Sequence, residues 1–170
     1  MSKEATAKTN VVLVDAVRTP FGKAGSLYAE TRADDIMVRC LRGLLERNPN
    51  PTADQIYDVA IAAATQTGDQ GMNIGRSVAI LAGIPKSVPG YSIDRWCAGA
   101  LTAVTTIAGG INMGAYDLAI AGGVEHMGHH PMGDGMDPNP RYLAEKLVDT
   151  DALQMGATAE RLHDKFPHLT

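Results

Sequence analysis

The chain has few cysteines, few aromatic side chains and no cluster of basic residues. Its two cysteines among 170 residues, Cys40 and Cys97, cannot form a dense disulfide framework, which favours a reducing compartment and predicts a cytoplasmic protein. A formal net charge of −4 without a Lys/Arg cluster argues against a nucleic-acid partner. No apolar run is long enough to cross a bilayer, and residues 1–10 lack the apolar segment of a secretory signal. We therefore expect no membrane partner.

Strand and helix patterns alternate along the first three quarters of the chain. Short apolar runs predict strands at residues 11–14, 58–63 and 117–121, and a further strand just before Cys97. Helical spacing predicts helices from about residue 34 to Asn48, from 73 to 82, and after Cys97, where one apolar stripe is expected to face the core: Leu101, Val104, Ile107 and Ile111. This alternation predicts an α/β fold, with a parallel or mixed sheet covered by helices.

The composition changes at residues 128–140 to Gly, Pro, Met, His and Asp, which is typical of a loop. Two short helices are predicted after it, at about residues 142–148 and 155–165.

The histidines of residues 125–130, Glu-His-Met-Gly-His-His, raise the possibility of a zinc site, since His and Glu are good zinc ligands. However, Gly-Gly precedes them, Pro131 follows, and no further ligands complete a set. We therefore assign no metal site.

The segment around Cys97 carries the most specific chemical signal. It has the pattern of a strand, a turn, a cysteine and then a helix that begins with small residues. A thiol at a helix N-terminus faces unpaired N–H groups and the positive end of the helix dipole, which favour the nucleophilic thiolate. Small residues after the cysteine would leave the sulfur open to a bulky substrate. From this pattern alone, a buried structural cysteine fits as well as a nucleophile.

Five motifs in order resemble those of thiolases and favour the nucleophile. Residues 93–101, Ile-Asp-Arg-Trp-Cys-Ala-Gly-Ala-Leu, resemble the active-site segment of that family. The other four are similar to its opening strand and turn (14–22), glycine-rich dimer loop (66–76), Ala-Gly-Gly-x-Glu-Ser-Met turn (121–127) and Met-Gly-x-Thr-Ala-Glu helix start (155–160). Asp94, Gly99 and His126 depart from the usual Asn, hydroxyl residue and Ser, and put substrate preference in doubt more than reaction type.

The resemblance implies an acyltransferase whose N-terminal domain, residues 1–127, is of thiolase-like βαβαβ type. The incomplete beginning of a loop domain would follow at 128–170. Cys97 would form a thioester during cleavage of a 3-oxoacyl-CoA or the reverse condensation, and Met155 would form an apolar wall beside the acyl group. Acyl-CoA and CoA would be the substrates, with no other cofactor. A homodimer or tetramer would use the loop from Gly68 to Arg76 at its two-fold interface.

Two groups that thiolases need for acid–base chemistry have no match in this sequence. The family's Gly-His-Pro histidine and second cysteine lie in its C-terminal half, so we expect activity to require such a half. Two alternatives remain open. A decarboxylating condensing enzyme of the ketoacyl synthase type would share the fold and the nucleophile, and a non-catalytic dimerising fragment would use neither.

Overall fold

A computed structural model describes residues 10–168, which form two compact units: residues up to Gly135 and residues from Met136 onward. The first unit contains α1 (Ala33–Arg47), β1 (Val59–Ala62), α2 (Ile74–Ala82), β2 (Tyr91–Ile93), α3 (Gly99–Asn112) and β3 (Ile120–Gly123). The second contains α4 (Arg141–Ala144) and α5 (Met155–Lys165). The assignment of residues 128–170 to a loop domain remains a prediction. Within residues 10–168, no helix is long and apolar enough to cross a membrane.

The three strands form one parallel sheet in the order β2-β1-β3, which confirms the predicted α/β architecture. Ala60 pairs with Tyr91 on one side of β1, and with Ala121 on the other. The central strand β1 is buried at every position. Because parallel strands need long connections, each link between them contains a helix, as the alternating pattern predicts.

The two faces of the sheet differ in side-chain size. Val59 and Ile61 of β1 pack with α1 and α2, together with the largest buried cluster, which includes Met37, Leu41, Ile74 and Val78. On the opposite face, Ala60 packs with Ala103 and Ile107 of α3. Large side chains therefore fill one layer, and small side chains let α3 approach the other face closely.

The boundaries of α2 follow from local sequence signals. Asn73 accepts a hydrogen bond from the Arg76 amide at the start of the helix, and Gly83 ends the helix with a positive φ of 95°. Gly75 in the first turn lies against β2, because a Cβ at this position would be 2.0 Å from the Tyr91 carbonyl oxygen. Only glycine fits there without moving the strand.

Two predictions for this unit are wrong. Residues 11–14 form no strand, and their side chains are exposed. The packed face of α3 is Gly99, Ala103, Ile107 and Gly110, whereas Leu101 and Val104 of the predicted stripe are exposed. Both faces of α3 are apolar, so helical spacing could not distinguish them. The close approach to the small residues of β1 selects the glycine and alanine face.

Candidate active site

The carboxyl ends of the three strands lead into the loops that carry the candidate functional residues. β2 leads to Cys97, β1 to residues 63–66, and β3 to Glu125 and His126. In parallel α/β sheets, ligands bind at this edge, where connecting loops are held by a rigid scaffold. Cys97 therefore lies at the edge of the sheet where a substrate is expected.

Cys97 is exposed in a short 3₁₀ turn, Trp96–Ala98, that runs directly into α3. Trp96 has a φ of 47°, a left-handed conformation that is rare for a bulky residue and that reverses the chain sharply before the cysteine. The turn is closed by a hydrogen bond of 3.1 Å from the Ala98 amide to the Arg95 carbonyl oxygen. The predicted placement at a helix N-terminus is confirmed, whereas the catalytic role remains a prediction.

The small residues after Cys97 have a packing role that the sequence did not reveal. A Cβ at Gly99 would lie 2.7 Å from the Ala62 Cβ, and a Cβ at Gly123 would lie 2.9 Å from the Ala100 Cβ. The first turn of α3 therefore rests directly on the last residues of β1 and β3. Gly99 is buried in this contact, so its small size serves helix packing before it serves substrate access.

The charged residues before Cys97 bond within their own loop and with α3. The Asp94 carboxylate accepts a hydrogen bond of 3.4 Å from the Trp96 amide. The Arg95 guanidinium donates to the Thr102 hydroxyl at 3.4 Å, and that hydroxyl donates to the Ala98 carbonyl oxygen at 2.9 Å. Asp94, which departs from the family pattern, thus helps hold the turn that presents the thiol.

Three histidines of the loop after β3 form a cluster with one aspartate of the same region and one from the loop after β1. This histidine–aspartate cluster consists of His126, His129, His130, Asp134 and Asp69. His130 lies between the two carboxylates, with Nε2 2.5 Å from Asp69 Oδ1 and Nδ1 3.2 Å from Asp134 Oδ2. His129 Nδ1 lies 3.1 Å from Asp69 Oδ2. Asp69 also accepts from the Ala33 amide at 2.9 Å and so caps α1. The cluster therefore ties the loop after β3 to the start of α1.

Electrostatics within the cluster favour charged histidines. Burial opposes the charge on His130, but its hydrogen bonds to Asp69 and Asp134 outweigh burial and raise its pKa above the ordinary value. The hydrogen bond to the Ala29 carbonyl oxygen, followed by that to Asp69, raises the pKa of His129. Burial likewise opposes the Asp69 charge, yet the His130, Ala33 and His129 hydrogen bonds lower its pKa.

His126 is buried and its tautomer is fixed by two backbone groups. Its Nδ1 accepts from the His129 amide at 3.1 Å, so Nε2 carries the proton and donates to the Tyr28 carbonyl oxygen at 2.9 Å. The ring nitrogens of the cluster thus bind protein groups. Among residues 10–168, no group of three or more His, Cys, Asp or Glu side chains has an arrangement that could hold a metal ion.

Met155 is the first residue of α5 in the second compact unit, and its side chain is exposed. The helix starts at the residue that its sequence motif predicts. Its proposed place beside an acyl group remains a prediction.

Comparisons with known proteins agree with this arrangement. The thiolase N-terminal domain family matches residues 11–168. The chain belongs to the thiolase family. It is 41% identical over 154 residues to a 3-ketoacyl-CoA thiolase of Aliivibrio salmonicida and 42% identical over 154 residues to one of Serratia proteamaculans, covering 90% of this chain in each case. The fold matches a crystal structure of the Bacillus anthracis acetyl-CoA acetyltransferase with a TM-score of 0.75 and 28% identity.

These thiolases are considerably longer than this chain. The chain spans 39% of the two 3-ketoacyl-CoA thiolases. It spans 43% of the Bacillus anthracis enzyme, while that match covers 96% of this chain. The likeness therefore concerns the N-terminal part of thiolases, which contains the segment around Cys97.

Proposed function

We propose that Cys97 accepts the acyl group in a thiolase-type reaction on 3-oxoacyl-CoA. The observation that supports this most strongly is the exposed thiol at the start of α3, on the carboxyl edge of a parallel sheet, in a chain of the thiolase family. An N-terminal helix end stabilises an anionic nucleophile, and a covalent intermediate divides one difficult reaction into two easier steps.

In the proposed cleavage, the Cys97 thiolate attacks the keto carbon of the substrate. The bond between the α and β carbons breaks, its electron pair stays on the α carbon, and that carbon takes up a proton to leave as acetyl-CoA. The shortened acyl group remains on Cys97 as a thioester. A CoA thiolate then attacks this thioester, releases the shortened acyl-CoA and restores the Cys97 thiolate. The reverse sequence joins two acyl units, and no cofactor other than CoA as substrate is needed.

Proton transfer in this reaction needs an acid–base group, and none of the five histidines of the sequence lies in the Gly-His-Pro motif that supplies it in thiolases. The buried His126 and His130 form hydrogen bonds to the protein, and neither lies in a Gly-His-Pro motif. We therefore propose that the acid–base histidine and the second cysteine belong to a C-terminal half, on the same or another polypeptide. In the absence of that half, we expect no appreciable thiolysis, although Cys97 should still react with alkylating agents.

The decisive experiment is to locate the acyl group. After incubation with acetyl-CoA in the presence of the C-terminal half, rapid quenching and peptide mass spectrometry should find an acetyl group on Cys97. The half-buried Cys40 in α1 is the internal control and should stay unmodified. Cys97→Ser should lower turnover about 10³-fold or more with the fold intact, because a hydroxyl is a far weaker nucleophile. Acetylation of Cys40, or undiminished turnover of Cys97→Ser, would exclude the proposal.

A malonyl-CoA assay distinguishes the condensing-enzyme alternative. Thiolase-type chemistry predicts condensation of two acetyl-CoA molecules without malonyl-CoA. A requirement for malonyl-CoA, with release of carbon dioxide, would favour a ketoacyl synthase-type reaction at the same cysteine.

We further propose a homodimer, in which the loop from Gly68 to Arg76, exposed at Met72, contacts the second copy.

A further inference from the structure

Gln70 is a fully buried polar residue with a complete set of partners. Its side-chain amide nitrogen donates to the Thr65 carbonyl oxygen at 2.7 Å and to Glu125 Oε1 at 3.1 Å, while its amide oxygen accepts from the His126 amide at 2.6 Å. Two donated bonds and one accepted bond require a carboxamide at this position. Such buried, satisfied groups hold their neighbours in one geometry, because leaving any partner unpaired is costly.

Glu125, in the loop after β3, extends this network of hydrogen bonds to the backbone of the loop after β1. Its second oxygen accepts from the Ala64 amide at 2.7 Å. β1 and β3 stay paired as far as the hydrogen bond of 3.0 Å from the Val124 amide to the Ala62 carbonyl oxygen. Immediately beyond this hydrogen bond, the Gln70 and Glu125 side chains connect the loop after β1 to the loop after β3. We call these two side chains the Gln70–Glu125 bridge.

The bridge lies directly next to the surface on which the start of α3 rests. That surface consists of Ala62 and Gly123, the last residues of β1 and β3, and it leaves no room for a Cβ at Gly99. Because the contact is so close, a change in the separation of the two strand ends must move the first turn of α3. Cys97 belongs to the 3₁₀ turn that leads into this turn of the helix.

We infer that Gln70 and Glu125 are positioning residues for Cys97, which set the spacing of the strand ends beneath the first turn of α3. The inference rests on the proposed role of Cys97 as acyl acceptor. Neither residue needs to contact the substrate for this role. Gln70 is fully buried, and Glu125 acts through the Ala64 backbone and the Gln70 side chain.

The test variant is Gln70→Glu, which keeps the shape and exchanges a donor for an acceptor. When ionised, the new carboxylate faces the Thr65 carbonyl oxygen and the Glu125 carboxylate, so the bridge is broken. Two neighbouring carboxylates share a proton at a pH above the ordinary range, and the protonated form can donate again. Besides Glu125, the charged or titratable groups near Gln70 include Asp69, which is adjacent in sequence and bonded to His129 and His130, and His126, whose amide binds Gln70. Glu125→Gln added to this variant restores a donor between positions 70 and 125.

Amide hydrogen exchange, compared with the wild type at each pH, reports whether the start of α3 is held in place and does not require an active enzyme. In Gln70→Glu, the peptide covering residues 94–103 should exchange about tenfold faster than in the wild type at pH 8.5, and by a clearly smaller factor of about threefold at pH 5.5, where the shared proton restores one of the two donated bonds. The double variant should recover part of the wild-type protection at pH 8.5, because a donor again lies between positions 70 and 125 while the Thr65 carbonyl oxygen still faces a carboxylate. In the protein supplied with the C-terminal half, kcat should fall in the same pH-dependent way while KM stays within about twofold.

Val78→Ala provides the matched control for a general loss of stability. Val78 is fully buried in α2 on the other face of the sheet, so its truncation should loosen the core without selective exchange at residues 94–103. The positioning role is refuted if Gln70→Glu exchanges like the wild type at pH 8.5, or if its exchange rises uniformly as in Val78→Ala. Selective, pH-dependent exchange together with an inactive wild type supports positioning and refutes the proposed reaction instead.

Discussion

The histidine–aspartate cluster predicts that stability decreases as the pH rises from 6 to 9, and that His130 is responsible for much of the decrease. The informative perturbation is His130→Val, which places a smaller, apolar side chain at this position and removes both ring nitrogens. In the wild type, the His130 side chain is 10% exposed, with Asp69 Oδ1 at 2.5 Å and Asp134 Oδ2 at 3.2 Å. The variant removes both hydrogen bonds at once.

The magnitude follows from the different burial of the two carboxylates. A hydrogen bond to a charged group contributes about 1.5–3 kcal/mol, and the bond to Asp69 belongs to this class because both side chains are at most 10% exposed. Asp134 is 45% exposed, so solvent screening reduces its contribution to about 0–1 kcal/mol. His130→Val should therefore lower the free energy of unfolding by about 1.5–4 kcal/mol at pH 6.

The sign of the pH dependence follows from the direction of each pKa shift. The pKa of His130 and that of His129 are raised above the ordinary 6.5. The stability that the two charged histidines contribute is therefore complete below pH 6.5 and is lost as the pH rises through their folded-state pKa values. The pKa of Asp69 is lowered, so its contribution is present above its ordinary pKa and is lost in acid. We expect greatest stability of the cluster between these limits.

Urea unfolding followed by far-ultraviolet circular dichroism, at pH values from 5 to 9, measures these effects. The difference in the free energy of unfolding between the wild type and His130→Val should become smaller from pH 6 to pH 9. Asp134→Asn is the control, since an amide oxygen can still accept from His130 and the site is partly exposed; it should cost about 1 kcal/mol or less. A difference that is constant or grows with pH would refute the argument that a charged His130 stabilises the fold.

Two further predictions concern the interface and the packing of α3. Met72→Glu should convert a dimer to a monomer in size-exclusion chromatography with light scattering, because Met72 is 94% exposed in the predicted contact loop; an unchanged oligomer would place the loop outside the interface. Gly99→Val should lower the free energy of unfolding in urea by about 1–3 kcal/mol, because a Cβ at this position would overlap the Ala62 Cβ. Gly109→Ala, on the same helix with open space around it, should instead raise the free energy of unfolding by about 1 kcal/mol. Equal effects of the two substitutions on the free energy of unfolding would contradict the packing argument.

Those parts of the fold that depend on local signals could be predicted from the sequence. The short apolar run at residues 58–63 predicted the strand that became β1, and Gly83 marked the end of α2. Residues 11–14 have the same β-branched composition as a buried strand, yet they are exposed. Composition describes what a segment would gain from burial, but a strand also needs a neighbouring strand with free N–H and carbonyl groups.

The candidate site shows the same division between local and distant information. The start of a helix after Cys97 was visible in the sequence, because the turn and the small residues are contiguous with it. The histidines near residue 130 were also visible, but their main partner Asp69 lies about 60 residues earlier. Pattern analysis raised a metal hypothesis for these histidines, whereas the structure assigns them carboxylate and carbonyl partners. A buried Gln70 gave no local signal at all.

The two faces of β1 separate stability from the placement of the reactive cysteine. Val59 and Ile61 contribute to the large cluster with α1 and α2, so truncating them should mainly affect unfolding. Ala60 and Ala62 face α3, where even one added methyl group would press against the helix that begins at Gly99. Substitutions on this second face should therefore displace Cys97 before they unfold the core. The small residues at the ends of β1 and β3, beneath the first turn of α3, are thus a requirement of the site as well as of the packing.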